Sequence, residues 1–505
     1  MYMSPEQIKD SKHIDKRSDL YTLGVIFYEI LTSNLPYDFS SLPDLYNKIL
    51  FSPPIPPRKW NSTIENRIEN IILKLLSKEP YQRYSNINQL LGEFLAEHQF
   101  TPVKQFDLDP KFLLRLYNEK TVLDEFTAGS DFKMFVEFPA NHQGQQKGLL
   151  KLVEDKQFVT LIDPSTMRLA YPAQADVKGL QSLPYAPPKF QVITPEYLAS
   201  RDAQLKYVKD VIDEQYKLKC NLFISPYHYI HNTNVPATMR RNPVNEWFDL
   251  DIKLLKESID YKASVFEYRN IPLYAGICLN GDSLLDKAHT SELLNLFSSF
   301  DCDGFLIYVD CIDNNTSAPT LYHYIKTLME LQKSTGRPVI AGRLNSIGLG
   351  LLCSGISCFS SGAARFDSFY EGLYKEETET YNLYERYYLP ELLSTVSIDR
   401  RTPIKLDAIR EKLGSCKCFY CDGKSYIDVI QPKYAKLHFL DTRYTEIEEI
   451  KRIPVNDRLS HFISRIDKAI LNYQKLGELF KPNDYSHLYI WKEVFEEIKK
   501  ETKDY

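Results

Sequence analysis

The chain has 505 residues, 43% of them hydrophobic, and a net charge of -5 with Lys/Arg and Asp/Glu interspersed. That apolar content suffices for roughly two to four cored domains and excludes an intrinsically disordered chain. The charge balance leaves no basic footprint for nonspecific binding to nucleic acid or a membrane surface. No apolar run approaches the ~20 residues that span a bilayer. The start, Met1 to Gln7, lacks a charged n-region and an apolar h-region, so a cytoplasmic protein without a membrane partner is expected. Of nine cysteines, six (Cys220, Cys278, Cys302, Cys311, Cys353, Cys358) stand singly in apolar surroundings, the usage of reduced, buried thiols.

Residues 1–100 read as all helix. Asp15 to Asp19 offers cap residues before the apolar run Leu20 to Leu31, which ends at Asn34-Leu35-Pro36. Leu42 to Leu50 gives a second, short helix. Phe51 to Pro57 is a stiff connector, because its prolines lack the N–H and push their predecessors out of helical backbone. Ile64, Ile68, Ile71, Ile72, Leu75 and Leu76 recur at helical spacing, and Ile87, Leu90, Leu91, Phe94 and Leu95 do so again.

Three motifs in this stretch, in order and at the right spacing, resemble the Ser/Thr protein kinase family. Tyr2-Met3-Ser4-Pro5-Glu6 looks like the close of the activation loop, Asp19 to Gly24 like the Asp-x-x-x-x-Gly helix start, and Lys78 to Tyr84 like the Arg-bearing loop near the end of the domain. The resemblance implies an all-α C-terminal-lobe fragment in which Glu6 pairs with Arg83 in a bidentate ion pair. It further implies that Asp19 accepts hydrogen bonds from the catalytic-loop backbone and that Gly24 permits close helix packing. The glycine-rich loop, strand Lys, catalytic Asp and metal-binding Asp of phosphoryl transfer would precede residue 1, and no Gly-x-Gly-x-x-Gly, His-Arg-Asp or Asp-Phe-Gly occurs in the chain. Two expectations stand side by side. One is a kinase separated from its N-terminal portion by truncation, a start-codon error or a split gene, with ATP and Mg2+ needed only if that portion exists. The other is a pseudokinase docking module.

Helical periodicity lapses from Gln99 to about Pro110, and residues 101–130 read as a linker. Strands are expected at Lys133 to Phe138, Phe158 to Asp163, Asn221 to Ser225, Pro272 to Leu279, Gly304 to Asp310, Pro338 to Gly342 and Ile356 to Ser360. Amphipathic stretches at Asp202 to Leu218, Leu250 to Tyr268, Ser283 to Ser299 and Thr320 to Thr335 separate several of them. Apolar strands between amphipathic helices indicate a parallel sheet buried on both faces, and the number of units favours an α/β (β/α)8 TIM-like barrel over residues 131–400, its eighth strand unplaced. Function then belongs at the C-terminal strand ends. Asp163, Asp310 and Arg343 are the acid/base and substrate-orienting candidates there, although Asp at a strand end also caps the following helix. Gly342, Gly348, Gly350 and Gly355 suit either a close ligand approach or tight helix–strand packing.

Residues 401–505 contain Cys416-Lys417-Cys418-Phe419-Tyr420-Cys421. Three thiols in six residues suit a structural zinc wanting Cys3His ligation, with His438 and His461 available as fourth ligand; a redox pair or ordinary loop cysteines are the alternatives. A barrel followed by Cys-x-Cys-x-x-Cys and a downstream His resembles the tRNA-guanine transglycosylase superfamily over residues 130–475. Leu459-Ser460-His461 looks like that family's ligand His at a helix start, so the resemblance favours His461. Leu161-Ile162-Asp163 matches its acid/base strand end. Gly355-Ile356-Ser357-Cys358-Phe359-Ser360, however, has Ser at both acidic places of the nucleophile stretch, and a hydroxyl cannot replace a carboxylate leaving group. The expected chain is therefore multidomain, a kinase fragment, a barrel and a small zinc-binding helical subdomain. Its expected partners are a separately encoded kinase portion or a protein substrate, and a nucleoside or nucleic-acid ligand at the barrel.

Overall fold

The computed structural model describes residues 2–9, 15–61, 64, 66–84, 87, 90, 109–128, 133–141, 147–230, 244–363, 368–375, 386–399 and 402–503. The expected helix of Leu91, Phe94 and Leu95 and the linker start at Gln99 lie outside them. The chain divides into two compact units, Met1–Val103 and Lys104–Tyr505.

In the first unit, helices Arg17–Thr32, Leu42–Phe51 and Asn66–Leu75 follow the expected periodicities, preceded by a short helix, Pro5–Lys9, that no periodicity announced. Ser33, at φ +54°, ends helix Arg17–Thr32 just before Pro36. The Ser41 hydroxyl caps helix Leu42–Phe51 by accepting from the Asp44 amide. Tyr21, Val25, Tyr28, Leu45, Ile49 and Ile72 form the core between them. Gly24 lets two helices touch: a Cβ there would stand 2.7 Å from the Leu75 Cβ.

The second unit is organised by parallel strands: β1 (Lys111–Arg115), β2 (Phe135–Pro139), β3 (Val159–Asp163), β4 (Phe223–Ile224), β5 (Tyr229–Ile230), β6 (Leu273–Leu279), β7 (Gly304–Val309), β8 (Val339–Ala341) and β9 (Cys358–Gly362). Their order is β3-β2-β1-β9-β8-β7-β6-β4, with β5 also pairing β6. A hairpin of β10 (Arg386–Leu389) and β11 (Ser394–Ser397) stands apart from this sheet.

The expected fold class needs correction. The sheet is nearly closed and barrel-like, not a regular (β/α)8 TIM-like barrel. Two two-residue strands share β6, and a lone bridge, Leu161 to Leu222, joins the β3 and β4 ends. Helices Pro432–Arg452, Val455–Leu476 and Ser486–Lys503 belong to the same compact unit as the sheet, and the first packs on β1 and on helix Lys120–Phe126. β1 itself lies inside the stretch expected to be linker.

The interior of the sheet is filled by aromatic side chains lying over glycines of the neighbouring strand. A Cβ on Gly304 would meet the Tyr274 ring at 2.5 Å, and one on Gly342 would meet the Tyr308 ring at 2.3 Å. Side chains on alternate residues point out to the helices. His228 does so: its Nδ1 lies 2.7 Å from Asp251 Oδ1 and its ring stacks on Trp247 at 4.0 Å, fixing helix Val244–Ser264 to the sheet.

Candidate functional site

The C-terminal strand ends bring charge together, through partners the sequence reading did not name. Asp163 Oδ1 accepts from the Tyr227 hydroxyl at 2.7 Å and the Ser165 amide at 2.8 Å, while Oδ2 accepts from Arg115 Nη2 at 3.1 Å. Arg115 also pairs with Glu137, whose Oε1 accepts from the Tyr308 hydroxyl at 3.0 Å. These acids and Arg115 are buried. Asp310 Oδ2 accepts from the Tyr229 hydroxyl at 3.0 Å and Oδ1 from the Glu371 amide at 2.9 Å. Arg343 Nη1 donates to the Tyr374 hydroxyl at 2.6 Å. The guanidinium of Arg168 lies 5.6 Å over the same tyrosine ring and donates to Gln174 Oε1 at 2.7 Å. Ser165, Cys311 and Arg343, immediately or shortly after β3, β7 and β8, all hold left-handed backbone, with φ of +55°, +61° and +58°.

Segment 368–375 crosses this rim. Phe369 stacks against Tyr374 at 6.1 Å and lies 5.9 Å from Tyr308, and Tyr171 donates to Glu371 Oε1 at 2.8 Å. The two serines in the expected nucleophile stretch are committed elsewhere. Ser357 Oγ lies 2.9 Å from Gln332 Oε1 and 3.0 Å from the Val339 carbonyl, and Ser360 Oγ accepts from the Arg343 amide at 2.9 Å. Gly348 and Gly350 serve packing, since a Cβ at either would run into Phe359 or into Phe462 and Phe495. Besides Asp163, which the sequence had already offered, Glu137, an acid in an otherwise apolar strand, was a signal of this network.

The metal candidate is resolved differently from expectation. Cys416, Cys418, Cys421 and His438 offer four ligand atoms within 4.8 Å of one another. His438 Nδ1 lies 3.6, 3.3 and 3.3 Å from the three sulfurs. Tetrahedral zinc with ordinary Zn–S and Zn–N lengths sets that separation at ~3.6 Å. The expected ligand His461 is not in this group; its Nε2 faces Glu449 at 3.7 Å, from helix Val455–Leu476. His438 is oriented by its other nitrogen: Nε2 donates to the Tyr388 carbonyl at 2.8 Å, which leaves the Nδ1 lone pair to the cysteines. The donor set can hold a metal ion.

In the first unit, Arg83 is buried and donates from Nη1 and Nη2 to Glu6 Oε1 and Oε2 at 2.7 and 2.8 Å. The same guanidinium reaches the carbonyls of Ser77, Lys78 and Arg17. Burial raises the Glu6 pKa, yet hydrogen bonds from Arg83 and Ser18 overcome it and hold the carboxyl at about 2. Asp19 is exposed in the first turn of helix Arg17–Thr32.

This ion pair and the glycine contact are those the kinase resemblance implies, and residues 1–96 match the protein kinase domain. The N-terminal segment is thus related to the Ser/Thr protein kinase family. Similar proteins include a probable serine/threonine-protein kinase of Clostridium perfringens, 35% identical over 92 residues, 18% of this chain and 13% of that protein. PrkC of Bacillus subtilis is 35% identical over 89 residues, covering 18% of this chain and 14% of PrkC. Pkn3 of Myxococcus xanthus is 39% identical over 97 residues, 19% of this chain and 18% of its own. The chain therefore spans less than a fifth of these relatives' length. The expected label of an all-α C-lobe fragment is replaced accordingly: the match is to the kinase domain as such, at the N-terminus of the chain. Among the described residues no helix is long and apolar enough to cross a membrane.

Proposed function

We propose that the chain joins a kinase-related docking segment to a transglycosylase-like barrel unit that binds a nucleoside, nucleic acid or related ligand at its rim without exchanging a base. The observation that carries this is the state of the rim. Asp163 and Asp310 each accept from a tyrosine hydroxyl and a backbone amide, Asp163 also pairs with Arg115, and Ser360 is bonded to Arg343, while Arg168 and Arg343 gather around one aromatic ring. Guanidinium and aromatic groups are the chemistry that takes a phosphate and a base. In the first unit Glu6, Gly24 and Arg83 support an active centre rather than forming one, so phosphoryl transfer is not expected from this chain alone. Zinc is the ion that best suits three thiolates and an imidazole, and when bound it cross-links those four side chains. Nine free thiols suit a cytoplasmic setting.

A second reading, an enzyme working through Asp163, Asp310 and Arg343, is favoured by the left-handed Ser165, Cys311 and Arg343. Such strain, about 1 kcal/mol or more each, collects at functional sites. One experiment separates the two. The full chain is titrated with fluorescently labelled tRNA and with GMP, and is assayed for labelled guanine entering tRNA and for γ-phosphate transfer from ATP. Binding of either probe, weakened roughly tenfold or more in Arg343→Ala, is expected, with neither label transferred. Guanine incorporation favours the enzyme; phosphate incorporation removes the scaffold reading; failure to bind either probe removes the ligand class.

A further inference from the structure

Resting on the Cys3His reading of the metal centre, we infer that Tyr387 is a positioning residue of that centre, donating a hydrogen bond to the Cys421 thiolate and fixing His438 by stacking. The Tyr387 oxygen lies 3.3 Å from Cys421 Sγ. A metal-bound thiolate has no proton to give, so the phenol is the donor. Its ring lies 4.4 Å from the His438 ring and within 4° of parallel to it.

The neighbouring residue completes the arrangement through its backbone. The Tyr388 carbonyl takes the His438 Nε2 proton at 2.8 Å, while the Tyr388 hydroxyl turns to the other side of β10 and donates to Glu446 at 2.9 Å. Alternation along the strand places one side chain and the next carbonyl toward the same imidazole. A single dipeptide thus sets the ring plane, the tautomer and one sulfur contact.

The charge of the centre explains why a donor is useful there. A divalent cation with three thiolates and a neutral imidazole carries a net charge of about -1. Tyr387, Cys421 and His438 are 4%, 5% and 0% exposed, so on their side of the centre the Cys421 sulfur is shielded from water, while Cys416 and Cys418 are half-buried. Hydrogen bonds to sulfur offset that excess charge: the Cys418 amide donates to Cys416 Sγ at 3.4 Å, and Tyr387 serves Cys421.

The test uses the full chain loaded with zinc or cobalt(II). Tyr387→Phe keeps the ring and removes the donor. It is expected to release zinc to excess 4-(2-pyridylazo)resorcinol roughly tenfold faster and to move the sulfur-to-cobalt charge-transfer band to lower energy. Replacing Tyr387 with 3-fluorotyrosine, a stronger donor, is expected to slow release. Equal release rates and an unmoved band in Tyr387→Phe would overturn the inference. Should that variant misfold, unchanged release from the fluorotyrosine protein overturns it. Wild-type protein that binds no zinc sinks the metal reading itself, a result distinct from zinc held equally well by both proteins.

Discussion

Arg83 makes five hydrogen bonds from a side chain with no measurable exposure, and two of them hold Glu6. A buried guanidinium left without its carboxylate is costly, about 3–5 kcal/mol for removal of one partner. The pair also has a pH signature. The folded carboxyl, at about 2, lies below the ordinary glutamate value, so its contribution is present above about pH 4.5 and is lost as pH falls toward 2. Because the Glu6 carboxylate is only partly shielded from water, screening keeps the stabilisation below the full value of that shift. In denaturation followed at Trp60, in a background where Trp247 and Trp491 are Phe, wild type should exceed Glu6→Gln by a constant margin near neutrality. That margin should shrink between pH 4.5 and 2, and a margin independent of pH would refute the assignment.

Helix Ile347–Cys353 is enclosed on all sides, every residue of it buried. Gly350 faces Phe462 and Phe495, whose ring atoms a Cβ would meet at 2.5 and 2.3 Å. Helix propensity alone would make Gly350→Ala stabilising by about 1 kcal/mol. Overpacking of two buried rings opposes it at about 1–3 kcal/mol. A lower urea midpoint for Gly350→Ala is therefore expected, and a higher one would show that the rings can yield.

This balance marks where the sequence stops being readable. Long elements with clear periodicity, such as Arg201–Lys217 and Ala318–Thr335, stand within a residue or two of expectation. β1 escaped because five residues, Lys111 to Arg115, begin and end on charges and follow a proline-marked lapse. β4 falls inside the strand expected at Asn221 to Ser225, whereas β5 is two residues long, too short for any period to declare itself. The high tyrosine content, 35 residues, had no account in sequence. It has one in part where rings of one strand fill the space over glycines of the next. The rim was legible in its acids and its arginine, but not in what engages them, because Tyr227, Tyr229 and Tyr374 reach Asp163, Asp310 and Arg343 only across the folded sheet.

At the scale of the molecule, two units of different kind share one chain, and the metal centre belongs wholly to the second. The choice between histidines gives a direct measurement. Elemental analysis of the full chain should find about one zinc per molecule. The metal should be lost in Cys418→Ser and His438→Ala and kept in His461→Ala; retention in His438→Ala would return the ligand to His461. The family pattern pointed to a histidine at a helix start, whereas the ligand sits inside helix Pro432–Arg452, where the Tyr388 carbonyl fixes its ring.

The three cysteines come from six consecutive residues, and His438 lies 22 residues beyond the first of them. A cation held there closes one loop of the chain, not three. For a closed loop of about twenty residues, the unfolded chain loses conformational freedom worth roughly 3 kcal/mol. That gain is confined to the seam between the cysteine turn and helix Pro432–Arg452, so stripping the ion should first loosen residues 416 to 438, with the strands of the barrel-like sheet still paired.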